Sequence, residues 1–131
     1  MIPALRLGQK IFGRVSPEVQ KLVADRLGAP AACAHEVATF YQMFDTERTG
    51  RHVVEVCTNV SCSLAGAEQI LEKLEDRLKV KVGGTTADER ITLREVECLG
   101  CCGTAPAMLV DEEQHEQLSP EKALAVLEGL E

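Results

Sequence analysis

The chain has 131 residues, of which 45% are hydrophobic and 27% are charged, and these are the proportions of an ordinary globular domain. Its formal net charge of −7 argues against nucleic acid as a partner, because phosphate binding requires clustered Lys and Arg. No apolar run approaches the roughly 18 residues of a membrane span, and Met1–Gly13 does not read as a secretory signal. We therefore expect a cytoplasmic location, no nucleic-acid partner and no direct membrane insertion.

The first third of the chain predicts helices. Ala4–Phe12 is a short amphipathic segment that ends at Gly13. Ser16 and Pro17 supply a hydroxyl N-cap and a proline in the first turn, and the following apolar stripe ends at Gly28. Two helices are therefore expected before residue 29.

A third helix is expected after Pro30, because apolar side chains recur there at helical spacing. These are Val37, Phe40, Tyr41 and Phe44. Most of the aromatic side chains in this stripe should lie in a core, and contact with a partner is the alternative. We expect residues 1–45 to form a small N-terminal bundle of three helices.

The pattern changes near Gly50, and residues 46–131 predict a second domain of α+β class in which helices flank a sheet. In chain order we expect a strand over Arg51–Cys57, a helix to about Leu78, a short strand or extended turn over Val80–Val82, a strand from about Ile91 to Cys98, strands over Ala107–Val110 and Glu113–Leu118, and a helix that Ser119 caps.

Six cysteines are the unusual feature of the composition. They are Cys33, Cys57, Cys62, Cys98, Cys101 and Cys102. Clustered cysteines in a cytoplasmic chain indicate metal or redox chemistry more often than disulfides. Four residues separate Cys57 from Cys62, three separate Cys98 from Cys102, and each pair follows a predicted strand. Such loops can direct backbone N–H groups at the inorganic sulfide of an iron–sulfur cluster.

Other cysteine chemistries remain to be weighed. A structural Cys₄ zinc site uses the same ligands, although its pairs are usually two residues apart. The pair Cys98 and Cys101 matches the C-x-x-C spacing of a thiol oxidoreductase, but it follows a late strand. The three-cysteine loop of plant-type ferredoxins is absent, and no two histidines lie near the cysteines as a Rieske centre requires.

The stretches Val56–Cys62 and Val96–Pro106 resemble the thioredoxin-like [2Fe–2S] ferredoxins, and His35–Tyr41 matches a further stretch of that family. The resemblance covers nearly the whole chain. It implies a thioredoxin-like domain and one [2Fe–2S] cluster. The implied ligands are Cys57, Cys62, Cys98 and Cys102. Cys101 stands where the family usually has a small residue, and the family's C-x₃-C spacing favours Cys102 as the ligand.

Within this family the chain is similar to the small, E-type iron–sulfur subunit of bacterial complex I, NADH:quinone oxidoreductase. The resemblance implies a separate partner subunit that carries FMN and binds NADH. The same module serves NAD-linked formate dehydrogenases and multi-subunit hydrogenases, which remain alternative hosts, and a Cys₄ zinc scaffold is a more distant one. Relatives usually carry more residues before the first helix, so this chain either starts later than they do or lacks a short N-terminal piece.

The chain is not expected to oxidise NADH by itself. NADH delivers two electrons as a hydride, whereas one [2Fe–2S] cluster accepts a single electron, so a flavin must stand between them. The sequence contains no G-x-G-x-x-G fingerprint with which it could bind the dinucleotide.

Overall fold

The computed structural model describes residues 1–130, which fall into two compact units divided between Arg48 and Thr49. None of the helices in this part of the chain is long and apolar enough to cross a membrane.

The first unit contains three helices: α1 over Ile2–Phe12, α2 over Pro17–Leu27 and α3 over Ala31–Phe40. The predicted start of α2 is confirmed, since the Ser16 hydroxyl accepts a hydrogen bond from the N–H of Val19 at 3.5 Å. Its predicted end is confirmed too, because Gly28 adopts the left-handed conformation of a helix C-cap, with φ of 63°.

The core of this unit is aliphatic apart from one ring. Its buried members are Leu5, Val15, Val19, Val23, Ala24, Ala34, Ala38 and Phe44. The buried Gly8 lets α1 approach α2, because a Cβ atom at this position would lie 2.9 Å from Cγ1 of Val19. Gly8 is therefore a packing position rather than a turn.

The prediction for the aromatic stripe of α3 is partly wrong. Phe44 is buried, but 77% of Phe40 and 38% of Tyr41 are exposed. The helix ends at Phe40, and Tyr41 adopts an extended conformation with φ of −93° and ψ of 115°. The helical spacing therefore stops before Tyr41, and these side chains do not share a face with Phe44.

The second unit is built on four strands. Its elements are β1 over His52–Cys57, α4 over Val60–Leu64, α5 over Ala67–Leu78, β2 over Ile91–Val96, a 3₁₀ turn over Cys102–Thr104, β3 over Met108–Val110, β4 over Glu113–His115 and α6 over Pro120–Glu128. The strand order is β2-β1-β3-β4; β1 and β2 run parallel, and the other neighbours are antiparallel. The prediction of a sheet flanked by helices is confirmed.

Several boundaries differ from the prediction. The loop after β1 contains a short helix, α4, and β2 ends at Val96 rather than at Cys98. Residues Val80–Val82 form no strand, so of the two predicted alternatives the turn is the one found, with the N–H of Gly84 donating to the carbonyl of Lys81 at 2.9 Å.

The core of the second unit lies between the sheet and its helices α5 and α6. From the helices it takes Ile70, Leu74 and Leu127, and from the strands Val54, Val56, Leu93 and Met108, all of them buried. Val54 and Val56 alternate along β1, so their inward direction fixes which face of this strand meets the core. Because β1 and β2 are parallel neighbours, their carboxyl ends lie at one edge of the sheet, where the cysteine loops begin.

Candidate metal centre

The sheet register brings the two cysteine loops side by side. Cys57 is the last residue of β1 and lies opposite Val96, the last residue of β2. The N–H of Thr58 donates to the carbonyl of Val96 at 3.0 Å, so the two chain segments stay paired one residue beyond the strands. Cys98 follows two residues later on the second segment. Parallel pairing therefore places Cys57 at the end of β1 and Cys98 two residues beyond the end of the neighbouring β2.

The first loop turns back through α4. The side-chain oxygen of Asn59 caps this helix by accepting from the N–H of Val60 at 2.9 Å. The Ser63 hydroxyl donates to the carbonyl of Thr58, also at 2.9 Å, and closes the turn. Cys62 lies within α4 and is buried to the same extent as Cys57, each with 2% of its surface exposed.

The second loop is tight and more open to solvent. Gly100 takes a left-handed conformation with φ of 75°, and its N–H donates to Sγ of Cys98 at 3.3 Å. Cys102 begins the 3₁₀ turn, and both Cys98 and Cys102 are exposed. The site therefore joins two buried thiols with two exposed ones.

The thiol of Cys57 is the electrostatic centre of the group. Burial alone would raise its pKa, but hydrogen bonds from the backbone N–H groups of Asn59 and Leu99, and from the thiols of Cys62 and Cys98, outweigh burial and lower the pKa. The lowered pKa favours the thiolate form of Cys57, and the thiolate is the form in which a cysteine binds metal.

Cys62 behaves in the opposite way. Burial raises the pKa of its thiol, the contact with Cys57 raises it further, and the N–H of Ala107 lowers it only in part. Its charge also interacts with those of Cys57 and Cys102. The structure thus brings together Cys57, Cys62, Cys98 and Cys102, the four side chains predicted as ligands.

Cys101 occupies a different position from its neighbour. It is buried, its Sγ donates to the carbonyl of Leu99 at 3.4 Å, and it accepts from Nε2 of Gln114 at 2.6 Å. Burial raises the pKa of this thiol, and the carboxylate of Glu116 raises it further.

The residues present fit an iron–sulfur group by their donor chemistry. The Cys57 thiol interacts with those of Cys62 and Cys98, and Cys62 interacts with Cys102. The backbone N–H groups of Asn59 and Leu99 donate to the Cys57 sulfur, and that of Ala107 donates to the Cys62 sulfur. Soft thiolates surrounded by N–H donors are the ligand set that iron–sulfur clusters use. As the side chains stand, no three His, Cys, Asp or Glu groups among residues 1–130 surround a point at which a metal ion could be held. The fit to an iron–sulfur group therefore rests on the chemistry of the four thiols and on the contacts among them.

Some residues around the site could not be predicted. Gln114 and Glu116 contact the second loop from residues 113–117, the β4 segment, and no local sequence pattern indicates this role. Asn59 is a favoured N-cap residue and could have indicated the start of α4. A helix of five residues, however, is too short to show a hydrophobic periodicity. Of the family stretches, His35–Tyr41 lies in the first unit, at the C-terminal end of α3 and its cap.

Fold and site together define a thioredoxin-like domain with a cysteine-lined redox centre. The model of the thioredoxin-like [2Fe–2S] ferredoxin family matches residues 1–131. The chain belongs to this family, and a [2Fe–2S] cluster is the cofactor that the family takes.

Curated relatives agree over nearly the full length. The chain is 42% identical over 129 residues to an E-type NADH-quinone oxidoreductase subunit of Rhizobium meliloti, and the match covers 98% of this chain and 77% of the relative. It is 41% identical over 127 residues to the E-type NADH-quinone oxidoreductase subunit of Escherichia coli, covering 97% of this chain and 76% of the relative.

A solved structure shares the fold. A chain of an NAD⁺-reducing [NiFe]-hydrogenase in the air-oxidised state superposes with a TM-score of 0.82 at 20% identity. The match covers 97% of this chain and 22% of the hydrogenase chain.

Proposed function

We propose that this chain is the one-electron carrier subunit of an NADH-oxidising flavoprotein module, and that its host complex is NADH:quinone oxidoreductase. The observation that carries the proposal is the convergence of four thiols on two neighbouring strand ends, in a chain of the [2Fe–2S] ferredoxin family. When bound there, a [2Fe–2S] cluster accepts and releases one electron at a time.

The proposed ligands are Cys57, Cys62, Cys98 and Cys102. Cys57 ends β1 and the other three lie in the two loops that follow β1 and β2, and nearby backbone N–H groups stabilise negative charge on sulfur. Cys98 and Cys102 are exposed, so this side of the site is open to a redox partner.

The flavin and the NADH are assigned to a separate partner subunit. A hydride carries two electrons and this chain offers a one-electron centre, so a partner must accept the hydride and divide it. The relatives named as E-type members of NADH-quinone oxidoreductase favour this complex as host over an NAD-linked hydrogenase or formate dehydrogenase. We place the chain at the cytoplasmic side of the membrane, in the peripheral arm of that complex.

The N-terminal helices are proposed to form a small bundle that docks on the flavoprotein. Large apolar side chains remain exposed on this unit, and they are Leu7, Ile11, Phe12, Leu22, Leu27, Phe40, Tyr41 and Met43. Aromatic and Met side chains are enriched at protein interfaces, and four of these eight side chains are of those types. This unit would therefore bind a partner while the second unit holds the cluster.

The first test is chemical analysis of anaerobically purified native protein. We expect two iron and two acid-labile sulfide per chain, and an S = 1/2 electron paramagnetic resonance (EPR) signal after one-electron reduction. A colourless protein with one zinc and no sulfide would instead support the structural zinc scaffold.

The second test identifies the host. A tagged chain expressed in its native cells should co-purify with an FMN-containing subunit, and the isolated pair should pass electrons from NADH to the chain. Co-purification with hydrogenase or formate dehydrogenase subunits would assign the chain to that complex instead. An isolated chain that oxidised NADH without flavin would contradict the proposed division of labour.

A further inference from the structure

Two adjacent cysteines in the second loop have the same chemistry, and only one of them belongs to the proposed ligand set. Cys101 lies close enough to Cys57 for their charges to interact, just as Cys102 interacts with Cys62. Both thiols are therefore within reach of the same site. The family's C-x₃-C spacing favours Cys102 as the ligand, but it does not show what keeps the neighbouring Cys101 out of the ligand set.

The contacts of the two side chains do separate them. Nε2 of Gln114 donates to Sγ of Cys101 at 2.6 Å, and the Cys101 thiol donates to the carbonyl of Leu99 at 3.4 Å. The Cys101 side chain is 6% exposed, whereas Cys102 is exposed. Cys101 is thus held on the side of the loop that faces the β4 segment.

Gln114 is itself held in position. Its Nε2 also donates to Oε1 of Glu116 at 2.6 Å, and its backbone lies in β4 opposite Leu109. Further along the same segment, the N–H of Gln117 donates to the carbonyl of Thr104 at 2.8 Å. The β4 segment therefore hydrogen-bonds to the second cysteine loop at two points, Cys101 and Thr104.

We infer that Gln114 is a positioning residue that selects the fourth ligand: by holding the Cys101 thiol towards β4, it leaves Cys102 to complete the cysteine set. This inference rests on the proposed cluster-binding function. Gln114 is not itself a ligand, and its action is through Cys101. Without the amide donor, the Cys101 thiol is restrained only by its hydrogen bond to the carbonyl of Leu99 and by burial, and two cysteine sets that share three members can then compete for one cluster.

The test uses the full chain, purified anaerobically with its cluster, and the EPR signal of the reduced protein. Gln114 is exposed, so Gln114→Met keeps the length of the side chain and removes its N–H donor at little cost to the fold. We expect the wild-type chain and Cys101→Ala to show one signal. Gln114→Met should show a resolved second component, and the double variant Cys101→Ala/Gln114→Met should return to a single signal.

The double variant is the matched control for a merely structural effect of the substitution. A Gln114→Met spectrum identical to the wild type would overturn the inference. So would a second component that persists in the double variant, because it could not arise from ligation by Cys101. A wild-type chain without iron and sulfide would overturn the proposed function, and this inference with it, before any variant is compared.

A second measurement covers the case in which Gln114→Met does not retain the cluster. Maleimide labelling of the cluster-free chain, followed by peptide mass spectrometry, reports the accessibility of each thiol. Cys101 should react several-fold faster in Gln114→Met than in the wild-type chain, while Cys33 reacts equally in both. Equal rates at Cys101 would show that Gln114 does not restrain it, and would overturn the inference.

Discussion

Replacing Phe40 by alanine should weaken binding to the proposed flavoprotein partner without weakening the fold. Phe40 is 77% exposed at the end of α3. An aromatic side chain buries roughly 200 Å² when it is fully covered, so about 150 Å² remains available to a partner. At about 25 cal/mol per Å², covering this area is worth up to about 4 kcal/mol. Alanine retains Cβ, so we expect a loss of about 2–3 kcal/mol, which is about 30- to 160-fold in Kd.

The stability of the isolated chain should hardly change. The ring makes an edge-to-face contact with Tyr41, with centroids 5.0 Å apart, and has little other packing to lose. A surface substitution of this kind alters the free energy of unfolding by about 0.5 kcal/mol or less. Isothermal titration calorimetry with the flavoprotein measures Kd, and thermal unfolding together with iron content measures the integrity of the chain.

Phe40→Tyr is the matched control, because it keeps the ring and most of the apolar area. It should bind nearly as tightly as the wild-type chain. If Phe40→Ala bound the flavoprotein with unchanged Kd, the docking role given to this end of α3 would be wrong. A weaker complex accompanied by a lower Tm or by cluster loss would also refute the argument, since the effect would then come from folding.

Three further predictions concern the site and the two cores. Single alanine variants of the proposed ligands should each lose iron and sulfide, measured per chain, and Cys101→Ala should retain both. The proposed ligands are Cys57, Cys62, Cys98 and Cys102. Leu74→Ala removes a fully buried side chain of α5 and should lower the free energy of unfolding by about 2–5 kcal/mol in urea titrations. Gly8→Ala should lower the Tm, because the steric cost of overpacking against Val19, about 1–3 kcal/mol, exceeds the gain in helix propensity of about 1 kcal/mol. The decrease in Tm should be smaller when Val19 is also replaced by alanine.

Helix starts could be predicted from the sequence because capping is a local interaction. The hydroxyl of Ser16 accepts from Val19, and that of Ser119 accepts from the N–H of Lys122 at 3.3 Å, three residues further on. Both are followed by a proline that suits the first helical turn. All the atoms involved lie within one turn of helix, so residue order is enough to identify them.

The side chains of Phe40 and Tyr41 could not be placed in this way. Their spacing continues the helical stripe, but the backbone leaves the helix at Tyr41. Phe44, four residues beyond Phe40, is packed in the core of the first unit. The helix ends before Tyr41, although apolar side chains continue at helical spacing as far as the buried Phe44. Periodicity alone does not show where a helix ends when no glycine or proline marks the position.

The cysteine pairs were predictable as pairs, but their convergence depends on the sheet. Cys57 and Cys98 meet because β1 and β2 are parallel neighbours in a register that places Cys57 opposite Val96. That register is held by the buried alternation of Val54 and Val56, since a slip of one residue would turn these side chains away from the core. The N–H of Ala107 beside Cys62 comes from the residue before β3, and the amide of Gln114 beside Cys101 comes from β4, and both strands are positioned by the same sheet. The packing of apolar side chains on the sheet therefore determines which polar groups surround the thiols. A substitution in the core of this unit should for the same reason alter the surroundings of the thiols.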